Sequence, residues 1–175
     1  MSLDHRSVCL FGEIQGRSEC FRSSIPQRIL SISFKSLDLS SGECSAKSFI
    51  NFVCSSLFTN LNYLQEVAKI GKNVILSTGM STISEIANAV SVLRDFLDDS
   101  QISILHCTTE YPAPFEEVNL NVIKTLKSTF GLNVGYSDHT KGIEASIAAV
   151  ALGAKIIEKH FTLDKKLPGP DHQAS

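Results

Sequence analysis

The sequence predicts an α/β fold, successive right-handed βα units laid on a parallel sheet, for the chain from Thr59 onward. Three observations carry that expectation. Amphipathic stretches with helical spacing alternate with short apolar runs rich in Val and Ile. Capping residues and glycines punctuate the junctions where helices should start and stop. Each apolar run also finishes on polar residues, as strands do where a parallel α/β fold delivers their carboxyl ends to a site. The alternation fits either a barrel or an open doubly wound sheet.

Element by element, the first helix is expected to take Thr59 or Asn60 as its cap. It runs through Leu61, Leu64, Val67 and Ala68 to a stop at Gly71, and a strand follows at 73–77. The second helix opens on the capping box Thr82-x-x-Glu85 and carries Ile83, Ile86, Val90, Leu93 and Leu97 on one face, before a strand at 102–107. The third is expected from about Glu116 to Phe130, with Val118, Val122, Leu126 and Phe130 aligned, Gly131 ending it and a strand at 133–137 after it. The fourth spans Ile143 to Leu152, stops at Gly153, and leads into a strand at 155–160.

Residues 1–58 read differently. They hold 14 of the 24 serines and four of the five cysteines. Segments such as Arg17–Arg28 and Phe34–Ser48 sustain neither a strand nor a helix period. The expected organisation is therefore an irregular segment, 1–58, that adds no further strand, followed by a regular α/β unit, 59–175.

Composition narrows the function classes. With 43% hydrophobic residues, 10 Gly and 5 Pro, the chain can bury a core. Lys and Arg number 16 against 18 acidic residues, a net charge of −2, which lacks the basic footprint of a nucleic-acid binder. No apolar run reaches membrane-span length, so no membrane partner is expected. Five cysteines without a C-x-x-C pair argue for free thiols and a cytoplasmic location. Neither G-x-G-x-x-G nor a P-loop is present, so nucleotide binding has no support.

Four strand endings gather the reactive residues: Ser77-Thr78-Gly79, His106-Cys107-Thr108-Thr109, Ser137-Asp138-His139 and Glu158-Lys159-His160. Strand alternation places Ile156, Glu158 and His160 on one face of the last strand, and Ser137 and His139 together on the one before. Two imidazoles from neighbouring strands with a carboxylate alongside would suit a divalent metal with open positions. They would equally suit two hydrogen-bonded histidines at a strand mouth. His106 and Cys107 point to opposite faces and cannot pair as nucleophile and base. Lys159 lies opposite Glu158 and His160, which argues against a Schiff-base lysine. The stiff stretch Lys166-Leu167-Pro168-Gly169-Pro170-Asp171-His172 either holds Asp171 over the site or is a rigid exit turn.

Five stretches resemble the N-acetylneuraminate (sialic acid) synthase family: Val74-Ile75-Leu76-Ser77-Thr78-Gly79-Met80, His106 through Pro114, Gly135-Tyr136-Ser137-Asp138-His139-Thr140, Glu158 through Asp164, and Pro168-Gly169-Pro170-Asp171-His172. The Gly-Pro-Asp-His-Gln-Ala-Ser ending is closer to the neuraminate and legionaminate branch than to the pseudaminate branch. The resemblance implies a TIM (β/α)8 barrel, of which 59–175 would be about the last four strands with their helices. It implies condensation of phosphoenolpyruvate with an N-acetylated hexosamine, such as N-acetylmannosamine, to a nonulosonic acid with release of phosphate. It also implies Mn²⁺ or Mg²⁺ and a homodimer. His139 and His160 match the metal ligands and Glu158 a carboxylate at the reacting centre. Ser77 and Ser137 match phosphoenolpyruvate contacts, Thr109 a polar donor, and Tyr111 and Asp171 positions that hold the sugar.

The departures set a second expectation. Where the family carries a phosphate-binding lysine, a serine and an acidic residue just before Thr59, an ungapped reading finds Phe52, Ser55 and Leu57. The last barrel helix and the family's C-terminal antifreeze-like domain, with its arginine, are not expected in this chain. The alternative to an enzyme is thus a non-catalytic remnant or interaction module of a split synthase, completed by a separate amino-terminal half.

Overall fold

The computed structural model describes residues 10–11, 31–37, 44–160, 162, 164–166 and 168–175. Among the described residues, seven strands form one sheet: β1 (Leu10–Phe11), β2 (Ser31–Leu37), β3 (Cys44–Val53), β4 (Asn73–Ser77), β5 (Ile102–Cys107), β6 (Asn133–Asp138) and β7 (Ile157–Lys159). Their order is β1-β7-β6-β5-β4-β3-β2. Strands β3 to β7 are parallel neighbours, and they curl into part of a TIM barrel. The β4-β5-β6-β7 run follows the order expected from the sequence.

The helices between these strands form for the local reasons the sequence offers. Helix α1 (Leu61–Lys69) is capped by Asn60, whose side chain accepts from the Tyr63 N–H. Helix α2 (Ile83–Arg94) carries the complete Thr82/Glu85 capping box. Helix α3 (Val122–Phe130) ends on Gly131 at φ 71°, the left-handed conformation that glycine adopts without a Cβ clash. Helix α4 (Glu144–Ala151) precedes β7, and a short α5 (Pro170–Ala174) follows it.

Three expectations are corrected. Residues 1–58 do contribute strands: β3 pairs parallel with β4, β2 pairs antiparallel with β3, and β1 pairs with β7. Their periodicity was illegible because β2 and β3 are rich in Ser, and because a bulge between Phe34 and Ser36 shifts the pairing register and breaks the two-residue alternation. The third helix is shorter than 116–130. A 3-10 turn at Phe115–Glu117 is separated from α3 by Asn119, which sits at φ 40° and interrupts the helical path. Leu61 and Ile83, expected on buried faces, are exposed. The stretch Arg17–Arg28 lies outside the described residues.

Alternation along the strands builds two apolar layers. Val74, Leu76, Ile102, Ile104, Val134, Tyr136 and Ile157 point outward. There they pack against Leu64 and Val67 of α1, Ile86, Val90 and Leu93 of α2, and Ile123 and Leu126 of α3. Each fully buried Leu or Ile contributes about 1.5–3 kcal/mol, so this layer holds the helices to the sheet. The inner face carries Ile75 and Leu105, with Ile50, Phe52 and Ile156 against them. Gly135 belongs to that inner face: a Cβ there would lie 2.5 Å from the Ile156 carbonyl oxygen and 2.6 Å from Leu105 Cδ2. The apolar plug of the barrel interior thus sits at the level of Leu105 and Ile156, and polar residues begin one step further along each strand.

Candidate active site

That next step places Ser77, Cys107, Ser137 and Glu158 around the inner wall. Cys107 faces Ser137 in register, and Ser137 faces Glu158. The Cys107 thiol is buried, which pushes its pKa up; hydrogen bonds with Ser77 and Ser137 only partly offset this, and the nearby Glu158 charge adds to it. Cys107 is therefore a neutral wall residue and not a thiolate nucleophile. Its neighbour His106 turns the other way, as alternation requires, and donates from Nε2 to the Val118 carbonyl at 2.6 Å.

Above this wall, His139, His160 and Tyr111 form an aromatic cluster. The ring centroids of His139 and His160 are 5.2 Å apart, Tyr111 lies 4.0 Å from His139, and Tyr111 lies 5.8 Å from His160. His139 Nδ1 is 2.7 Å from the Thr108 carbonyl oxygen, an acceptor only, so Nδ1 carries the proton. Nε2 then holds the lone pair, 3.3 Å from the Ser137 hydroxyl. Burial lowers the His139 pKa, the Thr108 bond opposes that, and the nearby His160 lowers it further. His139 is consequently a neutral imidazole at neutral pH. The Tyr111 phenol is pushed up to about 12, first by burial and then by the surrounding acidic groups, so it acts as a hydroxyl.

Asp171, at the start of α5, brings Oδ1 to 3.8 Å from His160 Nε2. Thr162 and His172 tie the same region together through a 2.7 Å contact. A cleft of about 290 Å³ opens next to His160, lined by Gly142, Ile143, Lys159, Thr162, Lys165 and Ser175. Thr109 sits half-buried in the loop after β5, one residue beyond the Thr108 carbonyl that orients His139. Phe52 lies on the inner apolar face and Leu57 packs on the outer core.

The sequence reading missed the backbone contributions. The Thr108 carbonyl fixes the His139 tautomer, and the Ala113 N–H donates to the His139 carbonyl at 2.9 Å. It also gave no part to the buried ion pair of Asp138 and Lys159, 3.3 Å apart on the outer face. Among the described residues, no group of three or more His, Cys, Asp or Glu gathers as a ready-made metal cage. No helix among them is long and apolar enough to cross a membrane.

Comparison with known proteins bears on the family and the fold. The chain is 59% identical over 122 residues to the N,N'-diacetyllegionaminic acid synthase of Campylobacter jejuni, covering 69% of this chain and 36% of that protein. It is 40% identical over 117 residues to the human N-acetylneuraminate-9-phosphate synthase, covering 66% and 32%. The solved structure of a sialic acid synthetase from Leptospira borgpetersenii superimposes with a TM-score of 0.67 at 44% identity, over 72% of this chain and 44% of that one. The chain thus spans about a third of the length of these curated relatives. Residues 36–175, from within β2 to α5, match the family model described as the NeuB family, and the chain belongs to that family.

Proposed function

We propose that this chain supplies the metal and sugar side of a synthase site. That site condenses phosphoenolpyruvate with the open-chain aldehyde of an N-acetylated hexosamine, forming a nonulosonic acid and releasing phosphate. The observation that carries the reading is the His139–His160–Tyr111 cluster at the strand ends, in a chain related to the legionaminic and neuraminic acid synthases.

The donor chemistry fits a divalent cation. His139 is neutral, its tautomer is set by the Thr108 carbonyl, and its Nε2 lone pair is on the side of the ring away from that bond. With His160 as second ligand and no third protein ligand gathered among the described residues, open positions remain for substrate oxygens. Bound there, Mn²⁺ or Mg²⁺ would act as a Lewis acid on the aldehyde oxygen.

The remaining roles fall to the chain's own groups. Tyr111 and Asp171 hold sugar hydroxyls beside His160, with Thr109 a further donor. Ser77 and Ser137 donate to phosphoenolpyruvate along the inner wall. The C3 carbon of phosphoenolpyruvate forms the new bond to the aldehyde carbon, whose oxygen takes up a proton and becomes a hydroxyl. Water then adds to the cationic C2, and the C2–O bond to phosphate breaks to leave the ketone. In this reading Glu158, in register with Ser137 on the wall, takes the proton from that water. The reading puts the reaction in the cytoplasm, with a second copy or a complementing amino-terminal half as partner.

Titration calorimetry with Mn²⁺ tests the reading. The wild-type chain should bind about one ion, and His139→Ala and His160→Ala should each lose most of the affinity. Binding that survives both substitutions would overturn it. A non-catalytic module remains the second reading, favoured by Phe52 and Leu57 standing where the resemblance expects charged residues. In that case metal binding would persist without turnover in any complemented form.

A further inference from the structure

Asp138 is completely buried, yet it does not face the site. Its neighbours Ser137 and His139 point inward, so its carboxylate points outward, where Ser146 of α4 donates to it. Lys159 sits between Glu158 and His160 and likewise points outward. Its ammonium lies 3.3 Å from Asp138 Oδ2 and donates to the Thr140 carbonyl at 2.7 Å, with the side chain only 11% exposed.

Burying such a pair brings little stability by itself, because desolvation of both charges consumes most of the Coulombic gain and apolar replacements are often as stable. Its location supplies a different reason. Asp138 adjoins His139 in the chain, Lys159 adjoins His160, and the two are paired in register across β6 and β7. Asp138 Oδ1 accepts from the Thr140 N–H at 2.9 Å and from the Thr140 hydroxyl at 2.7 Å, closing a tight loop with His139 at its apex. Lys159 then grips both ends of that loop, the Asp138 carboxylate on one side of His139 and the Thr140 carbonyl on the other, one residue before His160.

We propose that the Asp138–Lys159 pair is a positioning clasp, which sets the separation of His139 and His160 so that one divalent cation can be shared between them. The clasp rests on the proposed metal site at those two histidines. In the clasp neither Asp138 nor Lys159 serves as a ligand of the ion; each acts through the histidine beside it. Without the clasp, the loop keeps its internal bonds and those it makes with Thr108, Ala113 and Ser146, but none of these comes from β7, so the His139 ring loses its side-chain reference to that strand.

The double variant Asp138→Asn/Lys159→Met removes both charges together and leaves no unpaired buried charge. In the full chain we expect a cooperative melt to persist and the imidazole ¹⁵N signals of His139 and His160 to move. Mn²⁺ affinity should fall by about 10–100-fold, the usual effect of removing a group that orients a ligand. A folded variant with unmoved imidazole signals, or with undiminished Mn²⁺ affinity, would overturn the clasp. Should that variant not fold, Asp138→Asn/Lys159→Gln keeps a donor for Thr140 and still leaves no unpaired buried charge, and the same two readouts decide. A wild-type chain that binds no Mn²⁺ would defeat the metal reading instead, and the metal-free ¹⁵N signals would still show whether the pair positions the rings.

Discussion

His106 and Cys107 are adjacent in sequence and separated in chemistry, because a strand sends one to the helix layer and the other to the barrel interior. This much was legible from alternation alone, as was the convergence of His139 and His160. The choice between a metal site and a pair of hydrogen-bonded histidines was not legible. What bears on it is the Thr108 carbonyl, and a backbone group carries no side-chain signal in the sequence. His106 offers a separate test of the outward layer. Burial lowers its pKa and its bond to Val118 only partly opposes this, so the folded state favours the neutral ring. The unfolded chain, with a histidine pKa of about 6.5, therefore binds more protons on acidification. The stabilising contribution is accordingly fully present above that pH and is lost as pH falls through the lower folded value. Melting temperature should drop between pH 7 and pH 5, and His106→Gln, which keeps a donor for Val118 without titrating, should show a shallower drop. Parallel pH profiles for the two proteins would refute this role.

At the scale of elements, helix caps and glycine stops were readable because each is a local decision. The Thr82/Glu85 box and Gly131 work through their own few residues. Strands β2 and β3 were unreadable because their pairing is decided across the sheet, with a register shift that no window of sequence displays. Gly135 is an intermediate case. The sequence shows a glycine inside an expected strand, and only the neighbouring Ile156 carbonyl and Leu105 side chain explain it. Since one of those atoms belongs to backbone, the contact cannot be relieved by a rotamer change. Gly135→Ala should cost about 1–3 kcal/mol, the range for overpacking a tight interior, read as a lower denaturant midpoint at unchanged slope. A midpoint equal to that of wild type would mean that the β6–β7 spacing adjusts freely, and the inner plug would then not be the rigid floor that supports Ser137 and Glu158.

For the molecule as a whole, the deciding quantity is charge at the substrate. Phosphoenolpyruvate brings a phosphate and a carboxylate, which a synthase must meet with cationic donors. On the inner wall, Ser77 and Ser137 present hydroxyls, and Phe52 is apolar where the resemblance places a lysine. Lys159 borders the cleft, but its ammonium is committed to Asp138 and the Thr140 carbonyl. A missing charge-assisted contact at a transferring phosphate costs several kcal/mol, or two or more powers of ten in rate for each. Among the described residues, strands β3 to β7 form only part of the eight-stranded barrel, and a site so incompletely enclosed would admit water that weakens the contacts that remain. The 175-residue polypeptide assayed alone with phosphoenolpyruvate, N-acetylmannosamine and Mn²⁺ should therefore release no phosphate above background. Co-expression with the amino-terminal half of a NeuB-family relative, which brings the remaining strands and their lysine, should restore release in a manner that His139→Ala abolishes. Phosphate release by the polypeptide alone would show that its own residues already meet the charge of phosphoenolpyruvate, and the need for cationic donors from a complementing half would then be refuted.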